Sequence, residues 1–208
     1  MSTLTQTLFY VVDPMCSWCW AFQRHWETVS NVLSEELSIR YVMGGLAADC
    51  DEPMPVPMQR YLQSTWRSIE ARTGTQFNHD FWTHCAPKRS TYPACRAVIA
   101  AGYQGEQRIG EMIKGIQTAY YLEARNPSEL DVLYDCAATI GLDVQRFEQD
   151  IHSNRVNEAL ARDFAIRDQF GVQGFPSLIL QHDGDIISIS AGYCEAQQVL
   201  ARIQAALH

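Results

Sequence analysis

The sequence predicts an α/β fold in which a block of helices interrupts a domain built on a small sheet. Short apolar runs typical of strands lie near both ends of the 208 residues, and helical periodicity fills the middle. Three closely spaced prolines, Pro53, Pro55 and Pro57, separate the two patterns, because proline cannot continue a helix or a central strand. We therefore predict a discontinuous domain of residues 1–50 and 154–208, with an all-helical insertion of residues 51–153.

The N-terminal part of the chain predicts a β-α-β unit. An apolar strand, Leu8–Val12, precedes a helix of residues Cys16–Leu33, which ends in the polar Ser34–Glu36 turn. A second strand, Ser38–Met43, follows and is stopped by Gly44 and Gly45.

The middle of the chain repeats apolar residues at i, i+3 and i+4, which is typical of amphipathic helices. Ser128 is placed to cap one of these helices at its start, and Gly141 to end the same helix. The predicted helices are Met58–Thr73, Pro93–Tyr103, Glu106–Leu122, Glu129–Ile140 and Val144–His152.

The C-terminal part predicts an α-β-β-α order, with an Asp183–Gly184 hairpin turn between the two strands. Its elements are a helix Arg155–Phe170, the strands Ser177–Gln181 and Ile186–Ser190, and a helix Glu195–Leu207. The combined order, β-α-β, helical block, α-β-β-α, predicts a thioredoxin fold with an all-helical insertion domain.

Composition and charge exclude several classes of function. Hydrophobic residues make up 47% of the chain and charged residues 19%, as in an ordinary globular protein. The formal net charge of -8 argues against nucleic acid or an anionic membrane as partner, because both require a basic surface. The first residues lack a basic segment followed by an apolar one, and seven cysteines without framework spacing suit a reducing compartment, so we predict a cytoplasmic protein.

The segment Cys16-Ser17-Trp18-Cys19 follows the first strand directly and opens the first helix. A cysteine at a helix start lies beside unpaired backbone N–H groups, which favour the nucleophilic thiolate. The second cysteine falls on the next turn, close enough to form a disulfide with the first and release whatever the first has captured. The pair is therefore interpreted as a reversible redox site.

Two other interpretations of this spacing are a zinc site and a pair of inert buried cysteines. Zinc needs a second pair of Cys or His ligands, and the chain has no second C-x-x-C, so no metal site is predicted. Inert cysteines are not expected at a junction where Asp13 and Pro14 break the strand and leave the thiols near a surface.

Elsewhere, Cys95 and Cys136 lie on apolar helix faces and are predicted to be core residues, although Cys95 could act as a third thiol.

The loop that leads into the third predicted strand, residues 171–177, faces the C-x-x-C segment in this topology. Pro176 follows Gly174 and Phe175 directly before a hairpin, which favours a cis bond that leaves the Phe175 backbone free to pair with an extended substrate. The alternative is a trans proline that only begins an edge strand.

The segments DPMCSWCW and GVQGFPSLIL, with the helical insertion between them, resemble the DsbA-like family of thioredoxin-fold proteins. The chain is most similar to the cytoplasmic branch described as predicted protein-disulfide isomerases. Cousins are 2-hydroxychromene-2-carboxylate isomerases and kappa-class glutathione transferases. The resemblance implies that Cys16 is the nucleophilic thiol and Cys19 the resolving thiol, with Ser17 and Trp18 tuning them. It also implies that Pro176 is a cis-proline beside the bound substrate, with Phe175 contacting it.

Two further features complete the predicted site. Trp18 and Trp20 are candidates for an apolar substrate platform. The family usually places a buried acid six residues ahead of the first cysteine, whereas this chain has Tyr10 there. The proton of Cys19 would then move through water, Asp13 or another group.

We predict a thiol-disulfide oxidoreductase or protein-disulfide isomerase that acts on protein or small-molecule disulfides. It needs no bound cofactor, and glutathione is compatible as a redox partner. One alternative is a glutathione-dependent transferase or isomerase of a small electrophile, and another is a non-enzymatic redox-sensing module. The cousins carry Ser where Cys16 stands, so two cysteines favour redox chemistry over the first alternative.

Overall fold

A computed structural model of the chain describes residues 6–34 and 36–207. The predicted lack of an export segment rests on N-terminal residues that lie mostly outside this described part, as does Glu35 of the predicted Ser34–Glu36 turn.

Apart from the short helix α3, the order of strands and helices is the predicted one, and the α/β class is confirmed. The elements are β1 (Thr7–Val12), α1 (Ser17–Leu33), β2 (Ser38–Met43), α2 (Val56–Thr73), α3 (Phe81–His84), α4 (Tyr92–Gly102), α5 (Gln107–Tyr121), α6 (Leu130–Thr139), α7 (Val144–Ile151), α8 (Asn154–Gln169), β3 (Ser177–His182), β4 (Asp185–Ala191) and α9 (Ala196–Ala206).

The chain divides into two compact units. The sheet unit contains the described residues up to Gly44 and those from Asp163 onward, and the helical unit is Gly45–Arg162. These boundaries differ from the predicted ones, since residues 45–50 and 154–162 belong to the helical unit. The second boundary falls inside α8, where a continuous helical pattern gives the sequence no signal of a change.

The sheet has the strand order β2-β1-β3-β4. Strand β1 pairs in parallel with β2 and antiparallel with β3, and β4 pairs antiparallel with β3. The register places Val11 opposite both Val42 and Ser177, so the end of β1 lies beside the start of β3. This register brings the two predicted halves of the site to one end of the sheet.

The two faces of β1 contact different helices, as its alternating side chains require. On one face the Tyr10 ring packs against Trp26 and Phe22 of α1, with ring centroids 4.3 and 5.8 Å apart. On the other face, four buried residues from β1, β2 and β3 form a core with partly buried side chains of α8 and the loop after it. This core contains Phe9, Val11, Val42 and Ile179, packed against Ile166, Phe170, Val172 and Phe175.

The helical unit is organised around the fully buried Trp66 of α2. Its ring lies 4.9 Å from that of Trp82 and 5.0 Å from that of Phe77, with Tyr121 at 5.4 Å. Aromatic pairs at these separations add to the stabilisation that burial provides.

Two local predictions are wrong, and one short helix was missed. Helix α6 begins at Leu130 with Glu129 as its cap residue, and the Ser128 hydroxyl donates instead to the Ser90 carbonyl at 2.8 Å. Helix α2 begins before Pro57, because a proline in the first helical turn gives up no hydrogen bond. The short helix α3 was not predicted, since four residues cannot display a helical period.

No candidate for a membrane-crossing helix occurs in residues 6–34 and 36–207, since none combines the length and the hydropathy that a bilayer requires.

We expect Trp66→Ala to lower the free energy of unfolding by about 3–5 kcal/mol, because the truncation leaves a cavity inside the aromatic cluster. Urea denaturation followed by far-ultraviolet circular dichroism measures the loss. Tyr61→Ala in the same helix is the matched control: that side chain is 64% exposed, so its loss should stay within about 0.5 kcal/mol. Equal losses in the two variants would contradict this account of the core.

Candidate active site

Cys16 is the N-cap residue of α1, with an extended backbone at φ -83° and ψ 120°. Its N–H donates to the Asp13 carbonyl, and its own carbonyl accepts from the Trp20 N–H, each at 3.0 Å. The Asp13 side chain accepts from the Met15 N–H at 2.8 Å, which shapes the turn before the helix. The Cys16 side chain therefore lies at the first turn of α1, where backbone N–H groups have no helical partner.

Cys19 lies one turn further along α1 and is fully buried. Burial raises the pKa of its thiol well above the usual range, and the interaction with the neighbouring Cys16 thiol raises it further. Both cysteines are free thiols. The two thiols therefore differ: Cys16 lies at the start of α1, whereas the buried surroundings of Cys19 favour its neutral form.

The loop before β3 brings its backbone to Cys16. The Cys16 Sγ donates to the Phe175 carbonyl oxygen at 3.6 Å, a contact between residues 159 positions apart. The Phe175–Pro176 peptide bond is cis. The Pro176 carbonyl accepts from the Gly192 N–H at 2.7 Å, which ties this loop to the residue after β4.

The remaining predicted site residues lie close to the first cysteine in sequence. Ser17 is buried, whereas Trp18 and Trp20 are half-buried. The ring of Trp18 lies 5.9 Å from that of Tyr193.

Tyr193 is a site residue that sequence analysis missed. It follows Gly192 in the loop after β4, and its hydroxyl lies 2.9 Å from His25 Nε2. His25 Nδ1 accepts from the Ala196 N–H at 3.3 Å, as a neutral imidazole can. Burial lowers the pKa of His25, and the positive charge of the nearby Arg24 lowers it further. Both effects favour this neutral form. No motif in the sequence marks Tyr193, because its place depends on the sheet.

Tyr10 and Asp13 are the polar residues that the structure places beside Cys19. Both are fully buried. Burial raises the pKa of Tyr10 well above its usual value, and the neighbouring sulfurs of Cys19 and Cys16 raise it further. The Tyr10 hydroxyl faces Cys19, but its geometry falls short of a hydrogen bond to any described residue. At the position where the family usually has a buried acid, this chain therefore holds a neutral phenol.

The other predicted cysteines lie in the helical unit. Cys95 and Cys136 are both buried, as predicted, and burial raises the pKa of Cys136 to about 11. In the part of the chain that the structure describes, no three His, Cys, Asp or Glu side chains lie close enough together to hold a metal ion.

The sequence matches one family model and resembles several known proteins. A family model described as thioredoxin matches residues 9–193. The ClpXP adapter protein SpxH of Halalkalibacterium halodurans is 27% identical over 180 residues, which cover 85% of this chain and 58% of that protein. The chain thus spans less than two thirds of the length of this curated relative.

Two solved structures cover nearly the whole chain. A protein from Nitrosomonas europaea, described as a candidate protein disulfide isomerase, has a TM-score of 0.87 at 24% identity, with 97% of each chain covered. The cytosolic disulfide reductase DsbM from Pseudomonas aeruginosa has a TM-score of 0.78 at 25% identity, covering 96% of this chain and 97% of that chain. A second structure of that reductase contains GSH. These neighbours and the family model confirm the predicted thioredoxin fold and the resemblance to DsbA-like proteins.

We expect the Cys19 thiol of a Cys16→Ser variant to ionise above the ordinary thiol value of 9.0, because burial disfavours the thiolate. A pH titration of thiolate absorbance measures this, with a variant lacking both cysteines as the blank. The raised pKa also means that the protonated thiol stabilises the fold below the pKa of the unfolded thiol. This contribution is lost as the pH rises through the folded-state pKa. Ionisation of Cys19 at or below 9.0 would show that the buried environment is misassigned.

Proposed function

The chain belongs to the thioredoxin family, and from that premise we propose that it is a thiol-disulfide oxidoreductase that uses Cys16 and Cys19. The observation that carries this proposal is the contact of Cys16 Sγ with the Phe175 carbonyl at 3.6 Å. It places a thiol at a helix start directly opposite backbone groups that can pair with an extended substrate.

In the first step, the Cys16 thiolate attacks one sulfur of a substrate disulfide. A Cys16–substrate disulfide forms, the substrate S–S bond breaks, and the second substrate sulfur leaves as a thiolate that takes up a proton. The substrate backbone beside this bond would lie along Phe175 and Pro176, whose positions are fixed by Cys16 and Gly192.

In the second step, Cys19 loses its proton and attacks the Cys16 sulfur. The substrate leaves as a second thiol, and a Cys16–Cys19 disulfide remains. The substrate disulfide has gained two electrons, and the two cysteines have supplied them. Because Cys19 is fully buried, its proton must pass to a group in contact with it or to entering water. Asp13 is one candidate, because a carboxylate oxygen can accept a proton, and the neutral Tyr10 hydroxyl can donate to the thiolate that forms.

Ser17, Trp18 and Trp20 are proposed to adjust this chemistry. Ser17 and Trp18 lie between the two cysteines and supply no positive charge. Trp18, together with Tyr193, offers a half-buried aromatic surface next to Cys16. Trp20, also half-buried, stays a proposed substrate contact.

Protein or small-molecule disulfides are the proposed substrates, with glutathione as the thiol that returns the pair to its reduced state. Two glutathione molecules would supply two electrons and leave as glutathione disulfide. The GSH-containing structure of the similar reductase supports this partner. The cytoplasmic location stays a prediction.

We expect the protein to reduce insulin in the presence of glutathione and Cys16→Ala to lose this activity entirely, because the attacking sulfur is gone. Cys19→Ser should accumulate a mixed disulfide with substrate, which mass spectrometry detects, because the resolving thiol is missing. The control is Cys50→Ser, which replaces an exposed cysteine and should leave turnover unchanged. An inactive wild-type protein, or an active Cys16→Ala variant, would reject the proposal.

A second candidate function is that of a protease adapter, which the similarity to SpxH favours. An adapter needs a protein-binding surface, whereas it needs no exchange of electrons. Binding of the chain to purified ClpXP, measured by calorimetry on wild type and Cys16→Ala, separates the two functions. Tight binding that is unaffected by the substitution, combined with no insulin reduction, would favour the adapter.

A further inference from the structure

Gly44, the residue directly after β2, has room for a side chain only if the partly buried ring of Phe175 moves. A Cβ atom at this position would lie 2.5 Å from Cζ of the Phe175 ring and 2.6 and 2.8 Å from its two Cε atoms. Such distances are far below van der Waals contact. Gly44 is not among the glycines with positive φ. The need for glycine here therefore comes from the Phe175 ring and not from the backbone conformation.

Phe175 connects this position to the proposed active site. Its ring packs against Gly44 and the core on the α8 face of the sheet, whereas its carbonyl accepts from Cys16 Sγ at 3.6 Å. The side chain and the carbonyl of one residue thus have separate partners.

Two side chains of α8 hold Gly44 in place. Arg167 Nη1 donates to the Gly44 carbonyl at 2.6 Å, and the Asp163 carboxylate accepts from the Met43 N–H at 2.9 Å. These residues are four positions apart, so they lie on one face of the helix. The Gly44 N–H donates to the Val12 carbonyl at 2.7 Å, which connects Gly44 to β1 as well.

We propose that Gly44, held by Asp163 and Arg167, is a positioning residue that sets the Phe175 carbonyl opposite Cys16. This inference rests on the proposed function. Gly192 fixes the Pro176 side of the loop through its N–H, and Gly44 fixes the Phe175 side through the ring. A methyl group at residue 44 would push the ring and, with it, the carbonyl out of register with Cys16.

The test is a double-mutant cycle in the insulin assay. Gly44→Ala should lower kcat/KM about ten-fold or more, since small displacements of reacting groups are costly. Phe175→Leu removes the atoms that would clash and should cost less. If Gly44 acts through Phe175, the double variant should be no worse than Phe175→Leu alone, whereas independent effects would multiply. Multiplied losses, or full activity in Gly44→Ala, would overturn the inference.

A second readout separates positioning from a general loss of structure. Alkylation of Cys16 by iodoacetamide needs no substrate backbone, so Gly44→Ala should not slow it. Parallel losses of alkylation and exchange would overturn the inference. Gly115→Ala is the matched glycine control: the added Cβ meets only ordinary contacts at 3.9 Å, so kcat/KM should be unchanged.

Two variants of α8 test the inference even if Gly44→Ala does not fold. Arg167→Gln removes the donor to the Gly44 carbonyl and should lower kcat/KM a few-fold. Asp168→Asn removes the neighbouring ion pair with Arg167, at 2.7 Å, but leaves that donor in place. Equal activity in these two variants would contradict a role for the α8 contact. In every arm an active wild-type protein is required, because its inactivity would reject the proposed function itself.

Discussion

The hydrogen bond from the Cys16 thiol to the Phe175 carbonyl is the contact on which the rest of the site depends. Its two ends are delivered by different parts of the sheet, one by the end of β1 and the other by the start of β3. The antiparallel pairing of Val11 with Ser177 brings these ends together. A shift of one residue in this register would turn every side chain of β1 to the opposite face. Sheet register and active-site geometry are therefore one constraint.

The same packing separates the properties of the two cysteines. Both cysteines are buried, at 8% exposure for Cys16 and 0% for Cys19, although the Asp13–Pro14 junction led us to expect both thiols near a surface. They differ in position: Cys16 lies at the start of α1, whereas Cys19 faces the core next to Tyr10. Burial raises the pKa of the Cys19 thiol well above its usual value and so favours its protonated form. Tyr10, in turn, is held by the rings of Trp26 and Phe22. The hydrophobic packing of β1 on α1 thus sets the surroundings in which the Cys19 thiol ionises.

Much of the fold could be predicted because its signals are local. Strand β2 and the end of α1 were predicted at their observed residues, since alternation and helical periodicity are properties of a short window. The boundary between the two units lies inside α8 and could not be predicted, because the helical pattern continues through it. Ser128 has the sequence of a cap, yet its hydroxyl is engaged by Ser90, a partner that only tertiary folding supplies. Tyr193 and Gly44 carry no motif at all.

The sequence by itself determined the spacing of Cys16 and Cys19, their place at a strand-to-helix junction, and the proline loop that returns to them. These follow from residue types and spacings along the chain, which fix local backbone preferences. Only the tertiary structure decided that Cys19 is fully buried, that the Phe175 carbonyl faces Cys16, and that the Phe175 ring rests on Gly44. The last two facts depend on contacts between residues more than a hundred positions apart. Packing of the complete sheet unit is what brings them together.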